Sequence, residues 1–185
     1  FIIGTNGSFI IYRNIQNILN LSGLYIILTL GSSLIILMGS IDLSLEGIVS
    51  LTVVICGLLV KNPRTDINLG FWVLPILIVI GSLAGFLNGF ITTRFRIPSF
   101  LTTLGMWFVT LGLSVTLAGG YTIPFLDHRF QKFATGHVLS FPNIAIMGIF
   151  LSIIVYVLQK RTELGKYIYS IGGNEILACQ AQILI

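Results

Sequence analysis

Charged residues fall in clumps along this 185-residue chain, and the intervals between the clumps are long and apolar. Twenty-eight uncharged residues separate Arg13 from Asp42, 27 separate Asp66 from Arg94, 30 separate Arg96 from Asp127, and 27 separate Lys132 from Lys160. About 20 apolar residues rising 1.5 Å each cross a hydrocarbon core of about 30 Å, so each interval is long enough to span a membrane. The interval from Glu46 to Lys61 holds only 14 residues. A fifth span there must begin near Asp42, which draws Asp42 and Glu46 to the membrane boundary on one helical face. The pattern predicts five helical segments, at 15–38, 43–60, 71–92, 98–118 and 141–158. Runs this long and continuous exclude barrel strands, because backbone groups in lipid must be satisfied within a helix or a closed barrel. The expected class is an all-α membrane protein, a multi-span helical bundle.

Composition agrees: 55% of residues are apolar, 9% are charged, and the mean hydropathy is +1.00, outside the range of an ordinary soluble core. The net charge of +4 is scattered over loop edges without forming a stripe, so it predicts membrane lipid as a partner and no nucleic acid. Lys and Arg divide evenly between alternate sides. Arg13, Lys61, Arg64, Arg129 and Lys132 stand against Arg94, Arg96, Lys160, Arg161 and Lys166, so the count does not orient the chain. Cys56 and Cys179 form no CxxC or Cys/His set, and no metal site is expected. The chain opens on Phe1-Ile-Ile-Gly without a basic leader, and the expectation is that this is not the gene's own start.

Polar and small residues inside the spans carry the chemistry. Gly81, Gly85 and Gly89 are spaced by four, a helix face on which a second helix can pack closely. Asn88 beside them either bonds another helix or lines a polar path. Ser99, Thr102 and Thr103 follow Pro98 at a helix start, where hydroxyls bond back to the backbone. Asp42 or Ser44 is placed to cap a helix N-terminus, with Glu46 in the first turn. In the polar tail, Gly172 and Gly173 free the backbone to turn, Asn174 is a strong N-cap, and Glu175 falls in a first turn ahead of the apolar run 176–179. The plainer alternative is a loop leading to a sixth membrane helix. No GxxxxGK[ST] occurs, so the chain is expected to be no enzyme by itself.

In chain order, Gly39-Ser-Ile-Asp-Leu-Ser44, Asn88-Gly89, Ile97-Pro-Ser-Phe-Leu-Thr-Thr-Leu-Gly-Met106, Leu111-Gly112, Gly119-Gly120 and the run from Arg161 to Asn174 resemble the signatures of the permease subunits of bacterial ABC importers for ribose, xylose, galactosides and related small solutes. The resemblance implies a type II importer arrangement in the bacterial inner membrane, with the whole chain 1–185 a single partial permease domain lacking its C-terminal helices. It implies a second permease subunit (the same or different), a periplasmic or lipid-anchored solute-binding protein, and a cytoplasmic ATP-binding subunit. ATP and magnesium would sit on that subunit, and no cofactor on this chain. It places the Arg94/Arg96 loop in the cytoplasm, and makes 159–180 a cytoplasmic coupling segment carrying Gly165, Gly172, Gly173, Asn174, Glu175 and Ala178. Asp42, Ser44, Glu46, Asn88, Thr102 and Thr103 are the candidates for the translocation path or a helix break, and the solute implied is a monosaccharide. Ser40, Ser99 and Gln182 depart from the family's usual residues. The alternative reading is a non-transporting membrane scaffold or a degenerate permease fragment.

Overall fold

The computed structural model describes residues 11–139 and 141–173. Seven α-helices follow one another among them: α1 (Tyr12–Leu37), α2 (Leu45–Leu59), α3 (Val73–Phe95, entered through a 3-10 turn, Gly70–Trp72), α4 (Ser99–Ala118), α5 (His128–Thr135), α6 (Asn143–Arg161) and α7 (Glu163–Gly173). A small antiparallel hairpin, β1 (His137–Val138) with β2 (Phe141–Pro142), sits between α5 and α6. The helix bounds have local causes. Arg96 adopts the left-handed conformation (φ 54°) that ends α3, and Pro98 and Pro142, whose fixed φ suits an extended entry, immediately precede α4 and α6. Gly119, at φ 63°, ends α4 in the same left-handed way as Arg96 ends α3.

Four helices, Tyr12–Leu37, Gly70–Phe95, Ser99–Ala118 and Asn143–Arg161, are long and apolar enough to cross a membrane. The segment expected at 43–60 is different. Helix α2 has 15 residues, which at 1.5 Å each is only about 22 Å, and residues 40–44 ahead of it are not helical. The hydrophobic run is thus a broken element, a non-helical stretch followed by a short helix.

The chain divides into two compact units, residues 1–39 with 132–185, and residues 40–131. In the second, α2 packs against both α3 and α4. Gly47 permits the closest approach: a Cβ there would meet Thr110 Oγ1 and come within 2.8 Å of the Trp107 carbonyl. One end of this unit is closed by Cys56, Val60 and Val73, with Leu59, Leu77, Phe125 and Phe130 packed on them. Buried Asn62 ties the turn there, donating to the Gly57 and Val60 carbonyls and accepting from the N–H groups of Arg64 and Thr65. Arg64 reaches across to the Ala118 carbonyl (2.5 Å) at the end of α4.

In the first unit, α1 and α6 cross where Gly23 meets Ala145 and Gly148. The two helices are parallel, because Leu30, Ser33 and Leu37 line one groove in step with Ser152, Val155 and Gln159. Both therefore end on the same side. There, Gly165 of α7 lies against the Gln159 carbonyl and Gly172 against the Leu37 carbonyl, so α7 runs across the ends of both helices. Seven residues of helix cover about 10 Å, close to the 8–10 Å between packed helix axes.

Of two expectations about glycines, the Gly81/Gly85/Gly89 seam has no helix on it among the described residues and the Gly172/Gly173 turn needs correction. A Cβ at Gly81, Gly85 or Gly89 meets nothing within 4 Å, so among the described residues no helix packs on that seam; α3 buries Val73, Ala84 and Asn88 instead. Gly172 and Gly173 form no turn. They are the last residues of α7, which continues the helix through them because the neighbouring carbonyl of Leu37 needs a residue without a side chain at Gly172.

Candidate functional site

The break ahead of α2 concentrates polar groups inside the second unit. A non-helical backbone does not satisfy its own N–H and C=O groups, and at membrane depth such a stretch is tolerated only where protein supplies partners or a water-filled cavity does. Here α4 supplies them. Ser99 Oγ accepts the Ile41 N–H (3.1 Å), Thr103 Oγ1 accepts the Leu43 N–H (3.1 Å), and the same Thr103 hydroxyl lies 3.3 Å from the Ile41 carbonyl. Thr103 also makes the expected back-bond to the Ser99 carbonyl (2.9 Å), whereas Ser99 spends its side chain across to the linker.

Asp42 and Ser44 do not cap α2 in the expected sense, for no side-chain hydrogen bond reaches its first-turn N–H groups. Instead Asp42 Oδ1 accepts both the N–H (2.7 Å) and the hydroxyl (2.6 Å) of Ser44. The carboxylate folds back on the linker because the next donors along the chain are two residues away, the usual reach of an Asx turn. Ser44 Oγ in turn accepts from Asn88 Nδ2 at 2.9 Å. Ser44 is fully buried, and Asn88 and Thr103 are buried as well. Asn88 stands seven residues before the last residue of α3, about 10 Å along the helix from its end. The Ser44–Asn88 contact thus lies about 10 Å from that end of α3, whereas Ser99 is the first residue of α4, so the polar cluster starts at a helix end and reaches inward.

The sequence candidates separate on this geometry. Asp42, Ser44, Asn88 and Thr103 meet at the break, with Ser99. Glu46 lies in the first turn of α2 but is exposed. The Thr102 hydroxyl is buried without a partner, next to a shallow groove of about 310 Å³ lined by Ile91, Ile97, Leu101, Gly105, Met106 and Val109. Of the proposed coupling residues, Gly165, Gly172 and Gly173 belong to α7, while Asn174, Glu175 and Ala178 lie outside the described residues. Sequence reasoning missed Ser50 and Ser114, whose hydroxyls pair at 2.9 Å between α2 and α4, and Trp107, whose buried Nε1 has no partner. A small residue facing a hydroxyl across two helices, as Gly47 faces Thr110, was the available signal.

Residues 14–181 match the family described as branched-chain amino acid transport system / permease component. The chain belongs to this permease family. Its relatives include the ribose import permease protein RbsC of Haemophilus influenzae, 34% identical over 92% of this chain and 53% of the relative. The galactose/methyl galactoside import permease protein MglC of Escherichia coli is 30% identical over 94% of this chain and 56% of its own length. The fructose import permease protein FrcC of Rhizobium meliloti is 31% identical over 77% and 41%. The permease chain thus spans about half the length of the curated relatives it matches. No solved structure matches it significantly. Family and apolar helices together make it an all-α, multi-pass protein of the inner membrane.

Proposed function

We propose that this chain contributes part of the membrane passage of an ATP-driven importer for a small polar solute, with a monosaccharide as the solute best supported. The observation that carries the reading is the broken helix. A fully helical bundle has no use for a non-helical linker held by the hydroxyls of Ser99 and Thr103 and by the Asp42, Ser44 and Asn88 chain. Discontinuous helices whose polar groups face inward are how membrane proteins build solute sites without exposing backbone to lipid. The names of the relatives, import permeases for ribose, fructose and galactosides, support a sugar.

In this reading Asp42, Ser44, Asn88 and Thr103 form the polar wall of the passage, with Thr102 and Glu46 at its margin. Energy comes from a separate ATP-binding subunit carrying ATP and magnesium. A second permease completes the passage, and a solute-binding protein delivers the cargo. Segment 159–180 faces the cytoplasm and couples to the ATPase, with α7 as its described part. The test is purification of the full-length gene product from detergent-solubilised membranes, with mass spectrometry of what accompanies it, followed by sugar uptake in reconstituted vesicles. Recovery of an ATP-binding subunit and ATP-dependent uptake are expected. A well-folded protein that is recovered alone and carries no sugar would end the reading.

A further inference from the structure

One end of the second unit holds an open-sided cavity of about 570 Å³, separate from the polar break. Its size falls within the range of about 300–1,000 Å³ usual for small-ligand sites. The walls come from the loop after α2, the turn that enters α3 and the start of α5, and they are stitched together. The Leu69 N–H donates to the Leu59 carbonyl (3.0 Å), the Leu126 N–H donates to the Lys61 carbonyl (3.0 Å), and the rings of Phe71 and Phe130 stack with centroids 5.1 Å apart.

Charge is used unevenly around this cavity. Arg64, in the same loop, is taken up by the fold: it donates to the Ala118 carbonyl and lies over the Tyr121 ring. Lys61 and Arg129 line the cavity, and among the described residues neither side chain has a hydrogen bond or an ion pair. Asp127, the one acid of the lining, accepts the Arg129 N–H at Oδ1 (2.8 Å). Asn68 Oδ1 accepts the Gly70 N–H (3.2 Å), which leaves its Nδ2 as a donor with no partner among the described residues. Two cations against one carboxylate give the lining a formal charge of +1 with His128 neutral.

The level of the cavity in the membrane is set by α3. The span Gly70–Phe95 begins at its wall, and Trp72, which lines it, is 79% exposed. An exposed indole at the end of a span belongs at the headgroup level, where the ring meets apolar chains and the N–H meets polar groups. Cations held at that level meet the phosphates of lipid.

We propose that this cavity is a headgroup site for an anionic phospholipid. Lys61 and Arg129 donate to the phosphodiester, Asn68 Nδ2 adds a neutral donor, and Trp72 packs against the glycerol end of the acyl chains. The single negative charge of phosphatidylglycerol matches the lining, whereas the ammonium of phosphatidylethanolamine cancels its own phosphate. A soluble phosphate would use the cations and leave Trp72 without a part. The proposal requires only that the chain lies in a membrane, so it stands or falls separately from the importer reading.

The test is native mass spectrometry of the full-length protein, purified in detergent and titrated with short-chain phosphatidylglycerol, phosphatidylethanolamine or free glycerol 1-phosphate. Phosphatidylglycerol is expected to bind most tightly. Replacing both cations in Lys61→Gln with Arg129→Gln should weaken it at least tenfold, roughly the loss of one charge-assisted hydrogen bond. The charge-keeping pair Lys61→Arg with Arg129→Lys should retain it, and so should Arg13→Gln with Arg94→Gln, which removes the same charge from exposed positions off the cavity. Lys61→Gln alone should show part of the loss, and it serves if the double variant fails to accumulate. Unchanged phosphatidylglycerol binding in the Lys61 and Arg129 variants, or an equal loss in the Arg13 and Arg94 pair, overturns the site. Equal affinity for phosphatidylethanolamine overturns the anionic choice, and equal affinity for glycerol 1-phosphate assigns the cavity to a soluble anion instead. Loss of a co-purifying solute-binding protein while phosphatidylglycerol still binds would give the surface to a protein partner and end the proposal.

Discussion

The amide of Asn88 on α3 and the hydroxyl of Ser44 just ahead of α2 meet at 2.9 Å across 44 residues of chain. That bond joins the broken element to an unbroken spanning helix. Together with the Ser99 and Thr103 bonds it lets a non-helical peptide exist where lipid would not permit one.

Thr103 and Thr102 are adjacent in sequence and opposite in consequence. Thr103→Val removes the acceptor of the Leu43 N–H in a part-buried bond, so it is expected to destabilise the protein by about 1–2 kcal/mol, the cost of a lost hydrogen bond that water only partly replaces. Thr102→Val removes a hydroxyl that has no partner and is expected to be neutral or slightly stabilising. Thermal unfolding in one detergent compares the two; equal effects would contradict the assignment of the linker bonds.

Gly47 and Gly85 make a second contrast. A methyl at Gly47 collides with Thr110 Oγ1 and the Trp107 carbonyl, so Gly47→Ala should cost about 1–3 kcal/mol through overpacking between α2 and α4. A methyl at Gly85 meets nothing, and relief of glycine's helix penalty should make Gly85→Ala neutral or stabilising by up to about 1 kcal/mol. Measured unfolding temperatures would settle the pair. A severe loss of stability in isolated Gly85→Ala protein would show that the seam is packed after all.

Gly172 and Gly173 should behave unlike one another. A Cβ at Gly172 would run into the Leu37 carbonyl, whereas one at Gly173 has open space. Gly172→Ala is therefore expected to loosen α7 from the end of α1, read as faster proteolysis within 159–173, while Gly173→Ala keeps the wild-type rate. Indistinguishable rates would remove the reason given for that glycine.

The one ion pair among the described residues joins Lys166 to Glu163 at 2.8 Å on α7, with both side chains about 70% exposed. The Glu163 hydrogen bond, and then its charge, hold the Lys166 proton above the usual lysine range. A raised value contributes stability that is complete below lysine's ordinary pKa and fades as pH rises through the raised one. Water and salt screen so exposed a pair. Glu163→Gln should leave the unfolding temperature at neutral pH unchanged and only flatten its decline at high pH; a clear drop at neutral pH would give the pair a larger part than its exposure allows.

Much of this fold was legible in the chain. The charge-free runs located α1, α3, α4 and α6 because hydrocarbon imposes a length and an apolarity that no local preference overrides. They also located α2, expected at 43–60 and found at Leu45–Leu59, although periodicity reports which residues avoid water and not how the backbone runs between Ser40 and Ser44. The residues that meet at the break were singled out for their polarity in lipid, but their partners were not foreseeable. Whether Asp42 bonds the first turn of α2 or folds back on Ser44 depends on where α4 places Ser99 and Thr103, which spacing does not encode. The glycines show the same limit. Gly81, Gly85 and Gly89 have the spacing of a packing seam and stand open, while Gly23, Gly47 and Gly148, with no such spacing, carry the close contacts. A glycine pattern reveals what a helix permits, and the neighbour decides whether the permission is used.

The pairing of α1 with α6 sets an order on synthesis. The first residue of α6 follows the last residue of α1 by 106 positions (143 minus 37), whereas α2, α3 and α4 are neighbours in one continuous stretch. As the chain emerges, residues 40–131 can fold as soon as they are made, but Gly23 has no Ala145 or Gly148 to meet until the ribosome has translated the whole intervening unit. Helix α1 must wait in the bilayer for α6, and its 26 residues, longer than hydrophobic thickness requires, equip it to do so. Maturation of the first unit is thus timed by the second, and the small-residue crossing of α1 and α6 can form only after residues 40–131 have been made.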